Sequence, residues 1–141
     1  AAGEVGLILE HVIANHENGM LLSIADAARA ETFDDFLDHA QSYLQEGRKQ
    51  ESGTIAGVVF EDTIKRVCRK VGLTVAKDQK LDSLISALAT RGELSSVKAK
   101  RARAAADVRT RATHASWDEF DLDDVKHAIE FTREIISEKL T

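Results

Sequence analysis

The segment from Val97 to Trp117, V-K-A-K-R-A-R-A-A-A-D-V-R-T-R-A-T-H-A-S-W, constrains this chain more than any other. Its alanines, lysines and arginines are strong helix formers, so a helix is predicted over most of its length. Val97, Ala104, Ala105, Val108 and Ala112 recur at close to helical spacing. They define a narrow apolar seam that should face a core. Lys98, Lys100, Arg101, Arg103, Arg109 and Arg111 stand against the single Asp107, a local charge of +5. The whole chain carries −5, so everything outside this helix sums to −10. Such asymmetry points to an anionic partner for one face, and electrostatics does not say which.

The remaining composition sets bounds. A chain of 141 residues is about one domain and buries a core without disulfides or metals. It has no proline and is rich in Ala, Leu, Ile, Glu, Lys and Arg, which favours helix throughout. Cys68 is the single cysteine, so no internal disulfide forms and a reducing, cytoplasmic setting is expected. The five histidines are scattered without zinc spacing, and neither metal nor cofactor is expected. No apolar run approaches the ~20 residues that span a bilayer, so no membrane is expected. The sequence starts at Ala1 rather than methionine, as a fragment of a longer parent protein would.

Taken in order, Val5, Ile8, Leu9, Val12 and Ile13 form a short helical stripe that Glu17-Asn18-Gly19 should end. Met20, Leu21, Ile24, Ala25 and Ala28 follow, and residues 1–30 are read as an N-terminal helical arm ahead of a domain over 31–141. Thr32 and Asp35 resemble a capping box for a helix carrying Phe33, Phe36, Leu37, Ala40 and Leu44, with Gly47 as its stop. Arg48 to Ser52 reads as a polar turn. From Thr54 to Val71 the apolar residues Ile55, Val58, Val59, Phe60, Ile64, Val67 and Cys68 run almost all the way round, which marks a central helix ended by Gly72. Asp78 is a candidate cap for Leu81, Leu84, Ile85 and Leu88, with Gly92 closing. Asp121 caps a last helix with Leu122, Val125, Ile129, Ile136 and Leu140, and Asp123 and Asp124 suit its first turn. The expectation is an all-α bundle of about five core helices plus the arm.

This helix order, with Arg109-x4-His114 ending the basic helix, resembles the HEPN superfamily of nucleotide-binding helical domains. It is most similar to a bacterial group whose hallmark reads approximately L-R-N-x-A-A-H-G-x-W-x-E. The corresponding stretch here is V-R-T-R-A-T-H-A-S-W-D-E, Val108 to Glu119. F-D-D-F-L from Phe33 and A-G-V-V-F-E-D-T-I-K-R-V-C from Ala56 resemble that group too. The resemblance implies a HEPN-like bundle that is a metal-independent endoribonuclease in some members and a non-catalytic module in others. In catalytic members two motifs usually meet across a homodimer and act on an RNA phosphodiester through its 2′-OH. Carried over, His114 would be the acid/base group and Arg109 would hold the phosphate. Histidine exchanges protons near neutral pH, and the arginine fork matches phosphate oxygens. The implied setting is bacterial defence or a toxin–antitoxin pair with an operon partner.

Two positions depart from the pattern. Thr110 replaces the group's Asn, and Ala115 replaces its Gly. On an ideal helix, five residues also put Arg109 and His114 roughly 140° apart. His114 instead shares a face with Arg103, Asp107 and Arg111, so Arg111 rivals Arg109 for the phosphate. Lys100, Arg103 and Arg111 are the candidate anion- or RNA-binding set.

Each candidate also has a plainer reading. His114 fits an ordinary helix-end histidine. The basic run fits a solvated face paired with the acidic remainder, including Asp118, Glu119 and Asp121. Glu61 fits an i,i+4 partner for Lys65 better than a catalytic or network role. Trp117 fits a lid over the helix junction. The alanine face Ala102, Ala104, Ala105 and Ala106 permits a second copy to approach closely. RNA-directed effector and non-catalytic helical dimerisation module therefore stand side by side.

Overall fold

A computed structural model describes the backbone from residue 19 and side chains from residue 32 to residue 141. The stripe expected from Val5 to Ile13 lies outside the described residues. Five helices follow: α1 (Gly19–Gln45), α2 (Lys49–Lys70), α3 (Leu81–Thr90), α4 (Ser96–Thr113) and α5 (Leu122–Lys139). A short 3-10 turn, Trp117–Glu119, links the last two. No strand occurs among the described residues.

α2 is the hub, in contact with each of the other four helices. Its sequence dictates this, since Ala56, Val59, Phe60, Ile64, Val67 and Cys68 are all buried and point to several sides. Phe60 and Phe131 of α5 meet with ring centroids 6.2 Å apart at the centre of the core. Leu37 and Ala40 close it from α1, Leu84, Ile85 and Leu88 from α3. The Ser52 hydroxyl donates to the Ala40 carbonyl at 2.7 Å and ties the start of α2 to α1. Arg133 of α5 reaches Asp38 of α1 at 2.7 Å across the outside of the bundle.

Several local expectations are corrected. Thr32 and Asp35 begin nothing, because α1 already runs through them from Gly19. Arg48 to Ser52 is not a turn: Arg48 is the N-cap and α2 starts at Lys49, with Ser52 and Gly53 buried. Lys80, not Asp78, occupies the N-cap of α3, in extended conformation and without a side-chain cap. The cap of α4 is Ser95, whose Oγ accepts from the Lys98 amide at 3.2 Å. Asp121 does cap α5, in a full capping box with Asp124.

The seam of α4 is as expected at Ala105, Val108 and Ala112 and differs at Val97 and Ala104. Val97 is 68% exposed, and Ala104 is exposed as well. Ala99, Ala102 and Ala106 face inward together with Ala105, Val108 and Ala112. Three of the four alanines expected to receive a second copy are thus already used inside the chain. Ala104 remains outside, on a groove of about 320 Å³ between α4 and α5 lined also by Arg101, Ala105, Asp124, His127 and Ala128.

Candidate functional site

α4 ends at Thr113, and the motif residues Arg109, Thr110 and His114 lie on its last turns and at its C-cap. The Ser116 amide donates to the Arg111 carbonyl at 2.8 Å and the Ala115 amide to Ala112 at 3.2 Å. This pair of bonds satisfies the orphan carbonyls of the last turn and needs a left-handed residue just past the cap. Gly47, Gly72 and Gly92 fill that position after α1, α2 and α3. After α4 it is Ala115, at φ 54°, the one non-glycine residue with positive φ among the described residues. The helix therefore ends as it would with glycine there, and the alanine bears the strain.

That ending makes His114 the C-cap, with an exposed side chain. Its Nδ1 lies 2.8 Å from the Thr110 carbonyl oxygen. A carbonyl only accepts, so Nδ1 carries the hydrogen in neutral imidazole and Nε2 is left bare. The ring is thus held through the main chain of Thr110, whose side chain is exposed. The Thr113 hydroxyl donates to the Arg109 carbonyl at 2.8 Å.

Arg109 points elsewhere. α4 lies directly against Gly57 of α2 at this residue, and the Arg109 Nη2 reaches Glu61 Oε2 at 2.8 Å and Oε1 at 3.0 Å. The side chains are 32% and 20% exposed, so solvent screens this pair only partly. Lys65 stands 3.8 Å from the same carboxylate. Glu61 thus has the expected i,i+4 partner and a closer one from another helix. No hydrogen bond or ion pair joins Arg109 to His114. Their separation around α4 persists.

Arg111 donates from Nη1 to the Glu119 carbonyl at 2.5 Å and straps the 3-10 turn to the end of α4. Within that turn Trp117 is half-buried and meets Phe120 edge-on at 6.1 Å. Arg103 leans to α3, 3.5 Å from Asp82 and 3.3 Å from the Ser86 hydroxyl. Lys98 pairs with Glu138 at 2.5 Å, an interaction that holds the Glu138 carboxyl below its ordinary range. Arg101 pairs with Glu134 at 2.8 Å and lies 4.9 Å over the Phe131 ring. Lys100 is the one basic side chain of α4 that meets no partner among the described residues. The positive face is therefore largely balanced inside the chain, through Asp82, Glu61, Glu134 and Glu138 rather than the carboxylates of Asp118, Glu119 and Asp121.

Sequence reasoning missed Gly57, and an isolated glycine inside a helical pattern was the available signal. Among the described residues no group of three or more His, Cys, Asp or Glu is arranged to hold a metal ion. No described helix is long and apolar enough to cross a membrane. Comparisons with curated proteins and with solved structures gave no match. The family model of the HEPN domain matches residues 29–140, from the middle of α1 to the end of α5. The helix order, the Arg109-x4-His114 ending of α4 and this match over most of the chain place it in one family: the protein belongs to the HEPN domain family.

Proposed function

We propose that this HEPN domain is an RNA-directed effector of the bacterial defence or toxin–antitoxin type, acting as a homodimer and cleaving RNA without a metal ion. One observation carries the reading. His114 is exposed, its Nδ1 is tied to a backbone carbonyl, and its Nε2 is left free to exchange a proton with a bound molecule. In the proposed step, Nε2 takes the proton of an RNA 2′-OH, whose oxygen attacks the adjacent phosphorus. The P–O5′ bond breaks, and the leaving oxygen takes a proton from the protonated His114 of the second copy. Arg109 uses only Nη2 on Glu61, so its Nη1 and Nε donors, which point to different sides of the guanidinium, are each available to a phosphate oxygen. Because Arg109 and His114 face different ways, two copies are needed to bring both histidines and an Arg109 to the same phosphate.

Incubation of labelled single-stranded RNA with the protein at pH 7 in excess chelator tests this. Cleavage that disappears in His114→Ala supports the reading, and cleavage that survives that change undiminished overturns it. Light scattering at micromolar concentration should give a dimer; a clean mass of 15.5 kDa would remove the two-copy step.

A second reading, a non-catalytic helical interaction module, draws support from the internal pairing of Lys98, Arg101, Arg103 and Arg109. A face already balanced has less charge to offer RNA. Unchanged RNA retention at low salt by Arg103→Glu/Arg111→Glu, with no cleavage by wild type, would favour it.

A further inference from the structure

We propose that Glu61 is an electrostatic gate on Arg109: its carboxylate occupies the guanidinium in the free protein and so limits how tightly Arg109 captures a phosphodiester of single-stranded RNA. This rests on the RNA-directed reading and adds to it the control of its phosphate-holding group.

The pair has the features of a gate. Glu61 contacts a single nitrogen of Arg109, at 2.8 and 3.0 Å from its two oxygens, and leaves the Nη1 and Nε donors unengaged. Nη2 belongs to both two-donor edges of a guanidinium, Nη1/Nη2 and Nε/Nη2. An anion can therefore reach Nη1 or Nε singly but takes a full edge only by displacing Glu61, which it meets as a nearby like charge. Both side chains are partly buried, so that repulsion is felt more strongly than at the open surface. Lys65, 3.8 Å from Glu61, belongs to the same cluster. Arg109, Lys65 and Glu61 together carry one net positive charge, and neutralising Glu61 leaves two. The arrangement is fixed rather than accidental, because the backbone contact of Gly57 with Arg109 sets where the guanidinium starts. One turn before Glu61 on α2, Val58 is 65% exposed.

Glutamine at residue 61 preserves an acceptor for Nη2 and removes only the charge. The test is fluorescence polarisation of a labelled single-stranded oligoribonucleotide at low salt with wild type, Glu61→Gln, Arg109→Gln and the double variant, circular dichroism confirming the fold of each. Glu61→Gln should tighten binding roughly tenfold, and Arg109→Gln should abolish that gain in the double variant. Val58→Glu, at an exposed position, runs the same test in reverse and should weaken binding wherever Arg109 is present. Binding by wild type that Glu61→Gln leaves unchanged or weakens would overturn the gate and leave the RNA-directed reading standing. A gain that persists without Arg109 overturns it as well. Failure of every variant to bind the oligonucleotide would remove both.

Discussion

A Cβ placed on Gly57 would stand 2.9 Å from the Arg109 Cα and 3.1 Å from its Cβ. No real side chain tolerates the first distance, so α2 and α4 meet here backbone to side-chain root. The consequence reaches the site. Glu61 lies one turn beyond Gly57 on the same helix, and the close approach is what puts the Arg109 guanidinium within 3 Å of its carboxylate. Packing and charge are thus fixed by one small residue.

Gly57→Ala should destabilise the protein by up to about 2 kcal/mol. Alanine gains about 1 kcal/mol of helix propensity over glycine. Overpacking against a backbone atom costs about 1–3 kcal/mol, and Arg109 Cα has no rotamer to escape into. Urea unfolding decides the sign. A variant more stable than wild type by the propensity gain would show that the helices do not touch as described.

Ala115→Gly should act in the opposite direction and stabilise by about 1 kcal/mol. The left-handed conformation costs a residue with a Cβ about 1–2 kcal/mol, and the extra freedom of glycine in the unfolded chain takes back part of that gain. Residue 115 has φ 54° and an exposed side chain, so alanine has no packing there to lose. A thermal melt raised by a few degrees is the expected result; an unchanged or lowered midpoint would mean that α4 does not end in this way.

Helix existence was legible because it depends on local chemistry. Gly47, Gly72 and Gly92 punctuate three helices, and Asp121 caps the fifth, as their residue types require. The start of α1 was not legible, since a helix that continues through Thr32 overrides a capping signal that would serve only at a terminus. The seam of α4 was read correctly at Ala105, Val108 and Ala112 but not at Val97 and Ala104, for a related reason. With alanine on nearly every side, the inward face is chosen by where α2 and α5 lie, and Ala102 won over Ala104 by packing rather than by hydrophobicity. Arg109 and His114 were visible as residues and as directions around the helix. Their partners were not, because the Glu61 contact spans 48 positions and the His114 contact uses a main-chain oxygen that looks alike at every residue.

Cys68 should resist alkylation in the native state and react only as the chain unfolds. It is fully buried in α2, which both blocks the reagent and pushes the thiol above its ordinary range, against a smaller opposing pull from the Arg69 charge. A thiol raised in this way holds less thiolate, the reactive form, at any given pH. Iodoacetamide labelling followed through a urea series should therefore track the unfolding transition. Prompt labelling in buffer alone would place Cys68 outside the core.

Thr110→Asn tests what the group's asparagine contributes. The ring of His114 is held by the Thr110 carbonyl, which any residue supplies, so the substitution should leave the protonated Nδ1 and bare Nε2 of the neutral ring as they are. Nitrogen chemical shifts of labelled histidine report this directly. The Thr110 side chain is exposed on the last turns of α4, where an amide adds a paired donor and acceptor for a bound nucleotide. Asparagine and threonine have similar helix propensity, so the fold should not change. On the RNA-directed reading, cleavage rises in Thr110→Asn and vanishes in His114→Ala, while the histidine shifts of the first variant match wild type. If the shifts move, the side chain of Thr110 helps to orient the ring and the main-chain account is wrong. If wild type, Thr110→Asn and His114→Ala are equally inactive on single-stranded RNA at pH 7, His114 is a helix cap and the interaction module is the reading to keep.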